Sequence, residues 1–452
     1  MQTNLDLGSL SSSQRRCAFH TLGCKLNFSE SSEMSRHLVE EAGFVRVSFD
    51  DPADVYVINT CSVTEEANRK CRQMIGRCRR INPSALIVVT GCYAQLQPRQ
   101  VADIDGVGLV LGNNEKHLLV SEVLNHLPSD NAKVVCGDIS RDRNFFGALS
   151  GHDRTRAFLK VQDGCDYYCA YCTIPFARGH SRSASISETV DRARQAAADG
   201  AKEIVLTGVN VGEFGKDSNE SLLALLQHLD DIEGIQRYRI SSIEPNLLTD
   251  EILLHAQQST KLMPHFHLPL QSGSDSMLRL MKRRYDSSFF AEKVARIKSL
   301  LPDAFIGIDV IVGVNGETPD MFEESRLFLS NLPFSQLHVF TYSERPGTLA
   351  LSYRPVVDMA ERHHRNAILH AISEQHRIDF YRSQIGRAAS VLVESSSDSD
   401  TLTGFTENYV RVSIPKSSLP SSVSPDSLVN TIIPVSLGSL SLDTLSLSAT
   451  LS

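Results

Sequence analysis

No run of about 18 apolar residues occurs in the chain, so no segment is long enough to cross a membrane as a helix. The start lacks the basic-then-apolar pattern of a secretory leader. Met1 to Ser13 is instead polar and serine-rich, the composition of a disordered lead-in. A cytoplasmic protein with no membrane partner is the expectation. An excess of positive charge is missing too: the net charge of -8 argues against a chain-wide phosphate-binding surface. Basic residues do gather locally. Arg69, Lys70, Arg72, Arg77, Arg79 and Arg80 fall on one predicted helix, and Lys282, Arg283 and Arg284 are consecutive. Both groups are candidates for RNA phosphate, the plainer reading of the first being a solvated helix face. At 452 residues the chain exceeds one ordinary domain. Its 10 cysteines, in a cytosolic setting, point to metal or redox chemistry rather than disulfides.

Cys165, Cys169 and Cys172 form C-x-x-x-C-x-x-C within VQDGCDYYCAYC. A fourth cysteine, as in ferredoxin runs, is absent, and so is the paired C-x-x-C of structural zinc sites. Three thiolates on one loop can hold three irons of a 4Fe-4S cluster and leave the fourth iron open. The spacing, with the aromatic Tyr171 before the last cysteine, resembles the radical S-adenosylmethionine (SAM) enzymes, in which the open iron chelates SAM.

From Arg15 to about Leu127 short apolar runs alternate with helical stretches. CAFHTLG, VYVIN (Val55 to Asn59), ALIVVT (Ala85 to Thr90) and VGLVLG (Val107 to Gly112) read as strands, Ser31 to Ala42 and Glu65 to Arg80 as helices. This alternation predicts an open parallel α/β layer. Cys24, Cys61 and Cys92 each follow one of its strands, and such sheets gather ligands at their carboxyl ends. A second three-thiolate site is therefore expected there, against the alternative of separate core thiols. Cys71 and Cys78, a heptad apart on one helix, are expected to be buried together.

A polar stretch from Asn131 to Thr155 reads as a linker. Six apolar strands follow, at Ala157 to Val161, Glu203 to Gly208, Arg237 to Ile243, His265 to Leu270, Phe305 to Gly313 and Leu337 to Ser343. Helices are expected between them at Ser187 to Asp199, Ser221 to Asp230, Ser274 to Lys282 and Glu317 to Leu332. Six strand-helix units suggest an incomplete (β/α)6 barrel with its site at the strand carboxyl ends. Past Gly386, VLVE, GFTENYVRVSI and TIIPVSL, split by serine-rich stretches, suggest a small β-barrel. The expected domains are thus an N-terminal α/β domain at residues 15–128, a linker at 129–153, a barrel core at 154–384 and a small β domain at 385–452.

Across roughly Arg15 to Val412 the chain resembles the methylthiotransferases of the radical SAM superfamily. The motifs are TLGCKLN, ADVYVINTCSVT, IVVTGCYAQ, the cluster loop with IPFARGHSRS, RISSIEP, HLPLQSGSD, MKRRY and VFTYSERPGT. GCKLN and NTCSVT favour the branch that modifies threonylcarbamoyladenosine in tRNA, next to the anticodon. The resemblance implies two 4Fe-4S clusters, an auxiliary one on Cys24, Cys61 and Cys92 and a SAM-binding one on Cys165, Cys169 and Cys172. It implies SAM as cosubstrate, a flavodoxin or ferredoxin as electron donor, and a last domain like the RNA-binding TRAM module. That last domain sets Arg387, Arg411 and Lys416 against Glu394, Asp398, Asp400, Glu407, Asp426 and Asp443, an acidic balance that suits RNA poorly.

The C2–H bond of adenine is neither acidic nor activated, so the chemistry implied is radical and carried by the cofactors. Gly208, Asn210, Ser241, Glu244, Gln271 and Asp309 lie at or near strand ends and are candidate SAM contacts, with Tyr171. Arg178 and Arg182 are candidates for the SAM carboxylate or for tRNA phosphate. Only one of His265 and His267 is expected to face the barrel interior. Two alternatives are methylthiolation of isopentenyladenosine tRNA and of a ribosomal-protein aspartate. Another, of a different class, is a non-catalytic Fe-S RNA-binding protein.

Overall fold

The computed structural model describes residues 14–127, 131–151, 155–394 and 400–451. The serine-rich start and Asp398 lie outside the described residues. The chain divides into two compact units. One comprises the residues up to Ser150 together with Thr173–His180, the other Gly151–Cys172 and everything from Ser181 onward.

The first unit is built on a six-stranded parallel sheet. Its strands run, in spatial order, Val45–Arg46, Arg16–Thr21, Val55–Thr60, Leu86–Gly91, Val107–Leu111 and Lys133–Val135. Every residue of the central strand Val55–Thr60 is buried, as covering both faces of a parallel sheet requires. Tyr56 and Ile58 pack with Cys71, Ile75 and Cys78 on one face, while Val55 and Val57 pack with Cys17, Met34 and Leu38 on the other. The strand Lys133–Val135 falls in the stretch read as a linker. It is a short, mostly exposed edge strand, and nothing in its pattern announces it. The first helix, Lys25–Ala42, starts directly after Cys24, earlier than its sequence suggests. Glu30, Glu33 and four serines face inward on it, and a polar buried face defeats a search for apolar periodicity.

The second unit contains six strands, Arg156–Lys160, Glu203–Thr207, Arg237–Ile240, His265–Gln271, Phe305–Val312 and Gln336–Thr341. They form two parallel triplets joined through the parallel bridges Tyr238–Leu262 and Ser242–His267. The result is the incomplete (β/α)6 barrel. Its helices begin where the caps dictate: Ser185 and Glu188 form a capping box before Ile186–Ala198, Ser221 caps Leu222–Asp230, and Thr318 caps Pro319–Asn331.

Five strands, Ala388–Glu394, Thr401–Thr406, Arg411–Pro415, Ser446–Leu451 and Ile432–Ser441, close into a small β-barrel. Its tip docks on the amino ends of the larger barrel's strands. Tyr409 lies 4.4 Å ring to ring from His265 and 6.0 Å from Phe305. The Arg239 guanidinium sits 5.0 Å over the same ring and donates to the carbonyls of Glu407 and Thr406, each at 2.9 Å. The GFTENYVRV segment thus turns its tyrosine toward the barrel rather than to solvent.

Candidate functional site

In the first unit, Cys24, Cys61 and Cys92 each follow the carboxyl end of one of three adjacent strands, and the register Thr21–Asn59 and Thr60–Gly91 sets those ends level. Two glycines let the loops close on one another. Gly23 adopts φ +98, and a Cβ there would lie 2.7 Å from the Cβ of Cys61. Gly91 adopts φ +97, where a Cβ would lie 2.4 Å from the carbonyl of Thr60; a side chain at either position is excluded. Asn27 ties the loops together, its amide donating to the carbonyls of Leu22 at 2.8 Å and Thr60 at 3.0 Å. Cys24 is exposed, Cys61 half-buried and Cys92 buried, so the cluster of thiols opens to one side. Burial, then the neighbouring Cys92, pushes the Cys61 thiol up to about 12. Thiolates collected there need a cation, and a set of three sulfur donors suits iron–sulfur ligation.

Arg178 belongs to this unit, and the structure corrects its assignment. Its guanidinium is buried, donating to Glu30 at 3.0 Å and to Asn27 Oδ1 at 2.5 Å, while Lys116 pairs with the same Glu30. It braces the helix that follows Cys24 and is committed neither to SAM nor to phosphate. The basic helix Glu65–Ile81 carries its charge on the surface. Arg69 pairs with Glu66, Arg72 with Glu65, Arg77 with Asp50 and Arg79 with Asp105, the exposed ion pairs of a solvated helix face. Cys71 and Cys78 on that helix are both fully buried.

In the second unit, the loop carrying Cys165, Cys169 and Cys172 lies between the paired strands Gln162–Asp163 and Arg182–Ser183. Ala170 anchors it from both sides, its amide donating to Met281 at 3.1 Å and its carbonyl accepting from Ala350 at 2.9 Å. Burial raises the Cys165 thiol, and Glu213, Cys172 and Cys169 raise it further. Tyr171 packs beside Met277, Met281 and Tyr342. Gly208 serves a neighbour: a Cβ there would lie 2.8 Å from Gln162 Oε1, which accepts from the amides of Val209 and Asn210, each at 2.9 Å.

Four buried polar atoms at this end of the barrel have no partner among the described residues: Asn210 Nδ2, Glu213 Oε2, Ser241 Oγ and Gln271 Oε1. Each such group costs about 1–3 kcal/mol unless a ligand satisfies it. Gln271 also holds a left-handed φ of +78, strain that residues at binding sites often carry. One amide donor, one hydroxyl and two acceptors match the mixed polar rim of SAM, so the residues fit that cosubstrate. Sequence reasoning missed Glu213, which lies just past Asn210.

Glu244, Arg182 and Asp309 take protein partners. Glu244 pairs with Arg283; burial raises its carboxyl and the guanidinium opposes that. Arg182 lies 3.2 Å from Asp163, which Lys160 also meets at 2.7 Å. Asp309 Oδ1 is 2.7 Å from His267 Nε2. His265 and His267 both face the lumen, contrary to expectation, because residues two apart share one face of a strand. His338 stacks on His267 at 4.9 Å with 7° between the rings. His267, Asp309 and His338 place their ligand atoms within 4.8 Å of one another. Parallel imidazoles, however, direct their lone pairs side by side rather than at one point, a poor arrangement for a metal ion.

The Lys282–Arg284 cluster is no free phosphate patch. The Arg283 side chain is buried, donating to Cys169 Sγ at 3.0 Å and to Tyr285 Oη at 2.6 Å. Arg284 donates to the Asp166 carbonyl at 2.7 Å and lies 3.9 Å over the Tyr167 ring.

Residues 16–112 match the family described as Uncharacterized protein family UPF0004, and residues 159–329 match the Radical SAM superfamily. The chain is 39% identical over 403 residues to Threonylcarbamoyladenosine tRNA methylthiotransferase MtaB of Bacillus subtilis (strain 168), covering 87% of this chain and 89% of that one. It is 33% identical over 385 residues to tRNA-2-methylthio-N(6)-dimethylallyladenosine synthase of Syntrophus aciditrophicus (strain SB), covering 83% of each. Among solved structures, the radical S-adenosylmethionine methyltransferase TsrM of Kitasatospora setae superposes with a TM-score of 0.53 at 13% identity, over 73% of this chain and 75% of that one, a likeness of fold alone. The chain belongs to the radical SAM methylthiotransferase family, on the side of the threonylcarbamoyladenosine tRNA methylthiotransferases.

Proposed function

We propose that this enzyme transfers a methylthio group to C2 of N6-threonylcarbamoyladenosine next to the anticodon of tRNA. Cys165, Cys169 and Cys172 would hold the SAM-binding 4Fe-4S cluster, and Cys24, Cys61 and Cys92 the auxiliary one. When bound, SAM and the clusters supply a 5′-deoxyadenosyl radical able to take the C2 hydrogen, and the methylated sulfur that replaces it. The protein's part is positional. Asn210, Glu213, Ser241 and Gln271 offer unspent hydrogen-bonding capacity to SAM, Tyr171 packs behind the cysteine loop, and Tyr409 covers the far end of the barrel against water. The observation that carries the SAM assignment is that set of four unpartnered buried atoms at the barrel's carboxyl end.

The lumen wall carries the stacked pair His267–His338 and the half-exposed Phe340. Flat rings of this kind suit a nucleobase drawn out of its stack. A low-potential flavodoxin or ferredoxin would supply electrons, in the cytoplasm; no described helix is long and apolar enough to cross a membrane. The test is nucleoside mass spectrometry of tRNA from a host stripped of its own methylthiotransferases and expressing this chain. Methylthio-threonylcarbamoyladenosine is expected. Methylthio-isopentenyladenosine in its place would overturn the substrate, and neither product, from protein with both clusters loaded, would overturn the reaction.

A further inference from the structure

Arg283 stands apart among the described basic residues because its guanidinium is buried and donates to a cysteine sulfur. Nη1 donates to Cys169 Sγ at 3.0 Å. The other nitrogens fix the plane of the fork: Nη2 meets Glu244, Tyr285 Oη and, at 3.2 Å, the Pro269 carbonyl, and Nε donates to Tyr285 Oη at 3.1 Å. The side chain is 2% exposed, so water screens its charge little. The Cys169 sulfur stands here for the thiolate that would bind iron. Tyr285 in turn donates to the Pro269 carbonyl, and the backbone amide of Glu244 donates to Asn210 Oδ1 at 3.4 Å. The anchors of Arg283 therefore reach the residues that offer SAM its polar rim.

We propose that Arg283 is a positioning residue that raises the reduction potential of the SAM-side cluster through its charge-assisted bond to Cys169. The inference rests on the assignment of Cys165, Cys169 and Cys172 as the cluster ligands. Reduction adds one electron, from the low-potential donor, to a cluster already rich in negative sulfur. A fixed cationic donor on one sulfur favours the more negative, reduced state, and hydrogen bonds to the sulfurs are among the factors that set such potentials. The same guanidinium links cluster and SAM rim, so the electron would arrive where SAM is held.

The test is a redox titration followed by electron paramagnetic resonance. The parent carries Cys24→Ala, Cys61→Ala and Cys92→Ala, leaving the SAM-side cluster as the only one observed. With dithionite as the one-electron reductant, Arg283→Gln is expected to lower the reduced-to-oxidised ratio at a fixed potential by about tenfold, a shift of about 59 mV for one electron. Arg283→Lys, which keeps the charge but not the fork, is expected to shift less. Tyr285→Phe, which loosens an anchor without touching sulfur, should shift least. Equal midpoints for parent and Arg283→Gln, at equal iron content, would overturn the proposal. If Arg283→Gln cannot hold iron, Arg283→Lys is titrated in its place, and an unchanged midpoint there overturns it equally. A parent that shows no cluster signal would instead refute the cysteine assignment beneath the proposal.

Discussion

Replacing Arg239 by methionine should weaken the docking of the small β-barrel on the larger one, which Arg237 and Arg156 also hold. Arg239 Nε donates to Glu203 Oε1 at 2.8 Å and Nη2 to Oε2 at 3.2 Å, a two-pronged pair. Both side chains are at most 2% exposed. The remaining donor capacity serves the Glu407 and Thr406 carbonyls across the junction. Breaking a buried ion pair by removing one partner costs about 3–5 kcal/mol, chiefly because the survivor is left charged and unpaired. Arg237 remains 3.8 Å from Glu203 and holds that part of the loss toward the lower end. The two carbonyls that lose their donor add about 1 kcal/mol each. A destabilisation of about 5 kcal/mol follows, local to the junction. The measurement is native-state hydrogen exchange at Thr401–Thr406 and Arg411–Pro415, compared with the first unit's central strand Val55–Thr60 as an internal control. Opening free energy should fall in the small barrel and stay constant in the control. In a double-mutant cycle with Glu203→Gln the two changes should be strongly non-additive. A loss below about 1 kcal/mol, or additive effects, would refute the idea that Arg239, oriented by Glu203, holds the junction.

Gly23→Ala should act like loss of a cluster ligand, since its new methyl would meet Cys61 at 2.7 Å in a left-handed backbone. Iron content is expected to fall by about half, as for Cys61→Ala, while 5′-deoxyadenosine formation persists; iron and SAM-cleavage assays together decide it. Acid should weaken the same junction that Arg239 holds. Burial would raise the Glu203 carboxyl, but Arg239 and its neighbours outweigh burial and hold it below the ordinary 4.5. Its stabilising contribution is complete above that value and is lost as pH falls through the lower folded one. Exchange protection of the small barrel should therefore drop between about pH 5 and 3, and Glu203→Gln should lack that slope.

The placement of the cysteines was legible because its signals are local or follow from topology. Three cysteines on one loop need no fold to be read, and three cysteines after successive parallel strands need only the rule that strand ends converge. Cap chemistry is local in the same way: Ser185 and Glu188 are three residues apart and recognise each other within one turn. The basic residues were not legible that way. A run such as Lys282–Arg284 looks like a wet, phosphate-seeking surface because nothing nearby in the chain neutralises it. Arg283 finds Glu244 at a separation of 39 residues, and Arg178 finds Glu30 at 148. Burying a guanidinium requires such distant acids, and periodicity within a window cannot see them. The same blindness displaced the start of the helix Lys25–Ala42, whose inward serines and glutamates are satisfied from elsewhere in the unit. Lys282 shows the converse. Its backbone turns left-handed at φ +58, so residues consecutive in the chain need not share a face. A charge run broken by such a turn is several separate decisions about burial, and here the middle arginine was assigned to a sulfur.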